Sequence, residues 1–315
     1  MIHGFRFVAL GCTGRVRLAG VDQEQAQHAV ADAVRWLRGI ERRFSRFHDD
    51  SLIGRLNRGE TVAADADLSA VLAAADRAHH LTAGRYDATA LPLWRLWHDP
   101  QRTTWPTASE ILDAQTLVAW SAVERGDVVH LTRPGMALDL GGVGKEWCVD
   151  RMVERLMAQG CRDVLVELGG DCAARGRQPG RDGWFVLLPG AAAALTLCDE
   201  AIATSGIGTR RRELTGRAVS HLIDARSGQP AGGIIRSATV LAADCLTAGI
   251  HASDLCLLDD TTSAAIAARS GGHATWVRAS DGTVLADPNL LERIHPVGAD
   301  SNSQLATRSS QLILA

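Results

Sequence analysis

The stretch Leu138-Asp139-Leu140-Gly141-Gly142-Val143-Gly144-Lys145 lies where an apolar, strand-like run gives way to a helical pattern that continues to Gly160. Adjacent glycines let a ligand approach the backbone, and a new helix start presents free N–H groups to an anion. Lys145 in the first turn opposes the helix dipole, which is unusual for stability alone and would be accounted for by a phosphate-bearing ligand. A glycine-rich turn with a solvated lysine fits the same residues. The GxxxxGK[ST] spacing is absent, so this is no P-loop. The fold class follows from what surrounds the junction.

Upstream, residues 5–19 alternate apolar and polar and predict a strand interrupted by Gly11 and Gly14. Asp22 with Gln25 makes a capping box ahead of a helix carrying Ala26, Val30, Ala33, Leu37, Ile40 and Phe44 at helical spacing. A second amphipathic helix is expected over 66–83, stopped by Gly84. Residues 84–106, with three tryptophans and three prolines, read as an irregular connection, followed by a helix near 108–116 and strands near 128–132 and 136–140. Downstream, strands are expected at 164–168, 184–188, 195–197, 201–204 and 237–242. Helices follow near 245–258 and 261–270, then a hairpin at 273–279 and 283–286. Strands come in runs with interspersed helices and not as strict βαβ units, which predicts an α+β fold with antiparallel sheets and packed helices. One domain is expected over 1–299, with a Ser-, Gln- and Asn-rich flexible tail at 300–315.

Hydrophobic residues make up 46% and charged residues 22% of the 315, which excludes disorder over most of the length. The formal charge of −3 supplies no basic excess for nucleic acid. No apolar run is long enough for a transmembrane segment. The first residues lack a charged region followed by an apolar one, so a cytoplasmic location is expected. Seven cysteines form no CxxC pair and no Cys/His metal spacing, and they read as reduced, buried thiols.

Three further segments place glycines and polar groups where core packing does not ask for them. Val166-Glu-Leu-Gly-Gly-Asp171 ends a strand on paired glycines and an acid that can bind turn amides. Ala203-Thr-Ser-Gly206 is followed by Ser220-His-Leu-Ile-Asp-Ala-Arg-Ser-Gly228, where His221 has the pKa range to take a proton from an alcohol. Arg46-Phe-His-Asp-Asp-Ser51 and Arg85-Tyr-Asp-Ala-Thr89 each set an aromatic face beside polar groups, as flat-ring recognition requires. Taken singly, each segment also fits a structural histidine or a core aromatic.

In order and spacing these segments resemble the ApbE family of FAD:protein FMN transferases, from Phe7 to about Leu290. Phe44 to Asn57 is similar to that family's early loop and helix, and Arg85 to Trp97 to its FDPTVGPLxxLW-type stretch. Asp139 to Lys145 resembles DLGGIAKG, Glu167 to Asp171 the GGD turn, and Ser220 to Pro230 SHIIDPRTGRP.

The resemblance implies an enzyme that holds FAD, uses Mg²⁺, and passes FMN to a Thr or Ser hydroxyl of a partner flavoprotein with release of AMP. It implies His221 as general base on the acceptor hydroxyl. Flavin-nucleotide contacts are implied at Leu10, Phe47, Arg85, Tyr86, Asp87, Asp139, Lys145 and Ile223. Metal contacts are implied at the Gly142 carbonyl and at Ser253. The sequence departs from the family pattern at Gly249, where the family has the metal-binding Asp, at Leu10 in place of Met, and at Glu146 in place of Gly. The loss at Gly249 leaves an FAD-binding module or pseudoenzyme as the alternative function, with FAD hydrolysis as a third.

Overall fold

The computed structural model describes residues 1–188, 193–208 and 211–297, so the tail expected at 300–315 lies outside the described residues. At its centre is an eight-stranded sheet whose spatial order follows the chain. Its strands are β1 (Ile2–Ala9), β2 (Cys12–Ala19), β3 (Asp163–Leu168), β4 (Asp171–Arg175), β5 (Ala201–Gly206), β6 (Ile235–Ala242), β7 (Ala274–Ala279) and β8 (Val284–Ala286). Every adjacent pair is antiparallel. The helices that matter here are α1 (Gln23–Phe44), α2 (Leu52–Asn57), α3 (Ala66–Leu81), α4 (Leu91–His98), α5 (Ala108–Gln115), α6 (Gly144–Ala158), α7 (Cys245–Cys256) and α8 (Ser263–Ser270). The architecture is α+β, as the order of elements predicts.

Strand alternation explains how both faces of the sheet are covered. Val164, Val166 and Leu168 of β3 pack with Leu37 of α1 and with Met152 and Leu156 of α6, whereas Leu165 joins Trp184, Leu195 and Leu197 on the opposite face. That second face is covered by a three-stranded sheet of Trp184–Leu187, Ala193–Leu197 and Ile294–Pro296. Ala238 and Val240 of β6 pack on Ala248, Ala252 and Leu255 of α7. The α6 and α7 helices thereby lie beside each other on the sheet.

Three expectations are corrected. Residues 5–19 form a hairpin and not one interrupted strand, because Leu10 and Gly11 both take positive φ (54° and 66°) and close a two-residue turn between paired Ala9 and Cys12. Within 84–106, Leu91–His98 is helical: Pro92 falls in the first turn, where its missing N–H breaks no bond, and Leu91, Leu93 and Trp97 form the buried face. Met136, Ala137, Leu138 and Leu140 are buried, but the run 136–140 is no strand, with an isolated bridge from Ala137 to Ala90. In place of a partner strand, the Asn57 side chain donates to the Leu138 carbonyl at 3.0 Å and accepts from its N–H at 2.6 Å.

Among the described residues no helix is long and apolar enough to cross a membrane. All seven cysteines are free thiols.

Candidate functional site

A cavity of about 1560 Å³ opens where the β1–β2 turn, the end of α1, the N-terminus of α6, the end of β5 and one side of α7 converge. That exceeds the usual range for a drug-sized ligand and suits a dinucleotide. The sequence-predicted Leu10, Phe47, Tyr86, Asp87 and Asp139 line it, as do Gly142, Lys145, His221, Ile223 and Ser253. Arg85 is not in the wall. Its guanidinium makes a bidentate pair with Asp254 of α7, at 2.6 and 2.7 Å, which ties the segment after α3 to that helix.

The glycine-rich turn works as a floor. Asp139 accepts from the Gly141 N–H at 2.9 Å and faces Arg46 at 3.3 Å. Gly142 is required by a close approach, since a Cβ there would lie 2.6 Å from the Tyr86 ring. The α6 helix then begins at N-cap Val143 with no side-chain cap, and Gly142, Gly144, Lys145 and Glu146 of this end reach the cavity. Lys145 Nζ contacts Glu146 Oε1 at 2.9 Å and also the Asp171 carboxylate, which is 2% exposed and accepts from the Thr204 N–H at 2.8 Å. Burial works against the Lys145 ammonium, but the negative charge beside it, led by Glu146, holds its pKa above the ordinary value.

Asp87 lies in the wall yet is largely engaged by the protein. Its Oδ1 accepts from the Thr89 N–H and hydroxyl, and its Oδ2 from the Trp120 N–H. Burial, reinforced by Asp139, Asp87 and Glu146, pushes the Tyr86 phenol well up, so it stays neutral and its buried hydroxyl has no protein partner.

Three wall residues escaped the sequence reading as contacts. Arg46 lies over the Phe47 ring at 4.6 Å and over Trp94 at 4.1 Å, and Trp94 stacks on His98 with centroids 4.4 Å apart. The signal was present as Trp94 and His98 at i, i+4 spacing, but it lay in the segment read as irregular. Burial pushes His98 below the usual histidine range, and the neighbouring His221 adds to this.

A cation would have to rest on few protein ligands. Among the described residues no group of three or more His, Cys, Asp or Glu is placed to hold a metal. Mg²⁺ is normally held by one or two carboxylates plus phosphate oxygens and water, so such a group is not needed. The oxygens on offer fit that pattern. Glu146 is buried with Oε2 unpartnered, and Ser253 Oγ lies 2.7 Å from Ser205 Oγ at the cavity wall.

The fold is that of solved flavin transferases. It matches the apo crystal structure of Pseudomonas stutzeri flavinyl transferase ApbE with a TM-score of 0.80 at 23% identity, over 93% of this chain and 96% of that one. It also matches the flavin transferase ApbE from Vibrio cholerae with a TM-score of 0.78 at 23% identity, over 93% of this chain and 99% of the other. The sequence profile of the ApbE family matches residues 10–276, and the chain belongs to that family. Curated relatives named FAD:protein FMN transferase include one from Vibrio cholerae, 28% identical over 249 residues and 74% of each chain. Another, from Salmonella typhimurium, is 26% identical over 297 residues and 85% of each chain.

Proposed function

We propose that this protein transfers the FMN half of FAD to a Thr or Ser hydroxyl of a partner flavoprotein, releasing AMP. The observation that carries this reading is that an uncapped helix end bearing Lys145 and the His221 side chain border one and the same cavity.

In this mechanism the pyrophosphate lies against the glycine turn, where backbone N–H groups and Lys145 oppose its charge. Phe47, Leu10 and Ile223 offer the apolar surface for the flavin ring, and Arg46 fixes the Phe47 face. An imidazole nitrogen of His221 takes the proton of the acceptor hydroxyl as its oxygen bonds to the FMN phosphorus and the P–O bond to AMP breaks. Mg²⁺, held through the Gly142 carbonyl and Ser253, would neutralise charge gathering on the phosphate oxygens.

The test is incubation with FAD, Mg²⁺ and an acceptor flavoprotein domain, followed by in-gel flavin fluorescence. A covalent flavin band is expected, reduced about 100-fold or more in rate by His221→Ala with FAD affinity little changed. Release of FMN without any acceptor band would instead mark hydrolysis. The second reading, a flavin-binding module without turnover, is motivated by Gly249, which offers no side-chain ligand. It predicts tight FAD binding and no band.

A further inference from the structure

Glu146 is an acid in an unusual position. It is 8% exposed, and its side chain crosses over Gly249 so closely that a Cβ at 249 would lie 2.5 Å from its Cγ and 3.1 Å from its Cδ. One carboxylate oxygen, Oε1, meets Lys145 at 2.9 Å. The other, Oε2, is buried with no hydrogen-bond partner. A buried carboxylate oxygen left bare is costly unless something binds it, and Lys145 is already shared with Asp171. Within this cluster one lysine stands against two carboxylates.

Other hard oxygen donors border the same cavity as Glu146. Gly142, at the turn one helical repeat before Glu146, borders the same cavity. Ser253 stands one helical turn beyond Gly249 on α7, so the two share a face. The Tyr86 hydroxyl, also without a partner, senses the Glu146 charge. Carboxylate, hydroxyl and carbonyl oxygens select a hard divalent cation of the Mg²⁺ or Mn²⁺ class over softer metals.

We propose that Glu146 of α6 supplies the carboxylate ligand of a divalent-cation site shared with Ser253 and Gly142, in the space that a side chain at position 249 would otherwise take. Gly249 and Glu146 then form an exchanged pair: the acid has moved from α7 to α6, and position 249 is a glycine because the transplanted side chain fills its volume. The inference rests on the flavin-transferase reading for the identity of the metal, and its test separates the two.

Mn²⁺ binding to the full chain is measured by electron paramagnetic resonance of the free ion, with and without saturating FAD. FAD binding is measured separately, by fluorescence quenching in the presence of EDTA. One Mn²⁺ per chain is expected. Glu146→Gln, nearly the same shape, should weaken binding at least 10-fold. Gly249→Asp alone should weaken Mn²⁺ binding or destabilise the fold, since the new carboxylate collides with Glu146. The double variant Glu146→Gly with Gly249→Asp should return to within about three-fold of the unmodified protein. Unchanged affinity in Glu146→Gln, tighter binding in Gly249→Asp alone, or a folded double variant that fails to recover Mn²⁺ would overturn the proposal. If FAD binds normally while Mn²⁺ ignores Glu146, this inference fails and the flavin reading stands. If Mn²⁺ follows Glu146 but FAD does not bind, the reverse holds.

Discussion

The α6 and α7 helices pack side by side on the same sheet, yet their N-termini are finished in opposite ways. At α7, Asp244 accepts from the Thr247 N–H at 2.6 Å, and Asp150, reaching across from α6, accepts from the Cys245 and Leu246 N–H groups at 2.8 and 2.9 Å. Two of the protein's own carboxylates thus seal that end. At α6 the N-cap is Val143, no side chain caps it, and the first turn faces the cavity. Each helix start carries a partial positive charge of similar size. One is neutralised from within and contributes to stability. The other is left without a side-chain cap, facing the cavity in which the proposed function places the FAD pyrophosphate.

The contrast is tested most severely at its sealed end. Asp150→Ala strips two buried N–H groups of their acceptor and should cost about 2–3 kcal/mol in urea unfolding, while the Kd for FAD stays within about three-fold. A large loss of FAD affinity from this variant would show that the two ends are not separable.

The same residue gives the contrast a pH signature. Burial raises the Asp150 carboxyl from 3.8 to about 6, against the pull of its two backbone donors. The folded chain therefore binds this proton more readily than the unfolded chain. The resulting stability is complete below about pH 4 and is lost as pH rises through about 6. Asp150→Asn lacks the titration, so the unfolding free energy of the unmodified protein relative to it should fall by roughly 2–3 kcal/mol between pH 4 and pH 7. A difference that is flat over that window would mean the carboxyl is not buried as described.

At the open end, Lys145→Met should raise the Kd for FAD about 10–100-fold, a loss of roughly 1.5–3 kcal/mol for a charge-assisted contact. It should also lower stability, because Asp171 loses its cation. What sharpens the comparison is the pairing of measurements. Equal losses of FAD affinity in Lys145→Met and Asp150→Ala, followed by fluorescence quenching, would erase the distinction between a ligand-facing and a self-capped helix start.

The smallest effect belongs to the hairpin turn beside the open end. Leu10 is held at φ 54°, a left-handed conformation that costs a non-glycine residue about 1 kcal/mol. Leu10→Gly should therefore gain about 0.5 kcal/mol in thermal or chemical unfolding, after the entropy of the freed unfolded chain is subtracted, and should weaken FAD binding. A variant that is more stable and binds FAD equally well would remove Leu10 from the ligand contacts.

Much of the site was legible before the fold. The glycine turn, Lys145, His221 and the Arg85–Asp87 segment announce themselves because glycines and polar residues at element junctions are local departures from core patterning. All but Arg85 reach one cavity wall. Arg85 lies outside that wall because Asp254, 169 residues away in sequence, holds its guanidinium. The α4 helix was missed because composition registers three prolines and three tryptophans but not that Pro92 falls in the first turn.

From the sequence alone come the α+β class, the starts and stops of the longer helices and the residues suited to phosphate and proton chemistry. These depend on backbone preference and hydrophobic spacing within a few residues. Only the tertiary structure decides that Asp150 caps a neighbouring helix, that Asn57 stands in for a strand, and that Glu146 lies in the volume vacated at Gly249. Those relations concern which side chains share a buried space, and packing over distances of a hundred residues sets them.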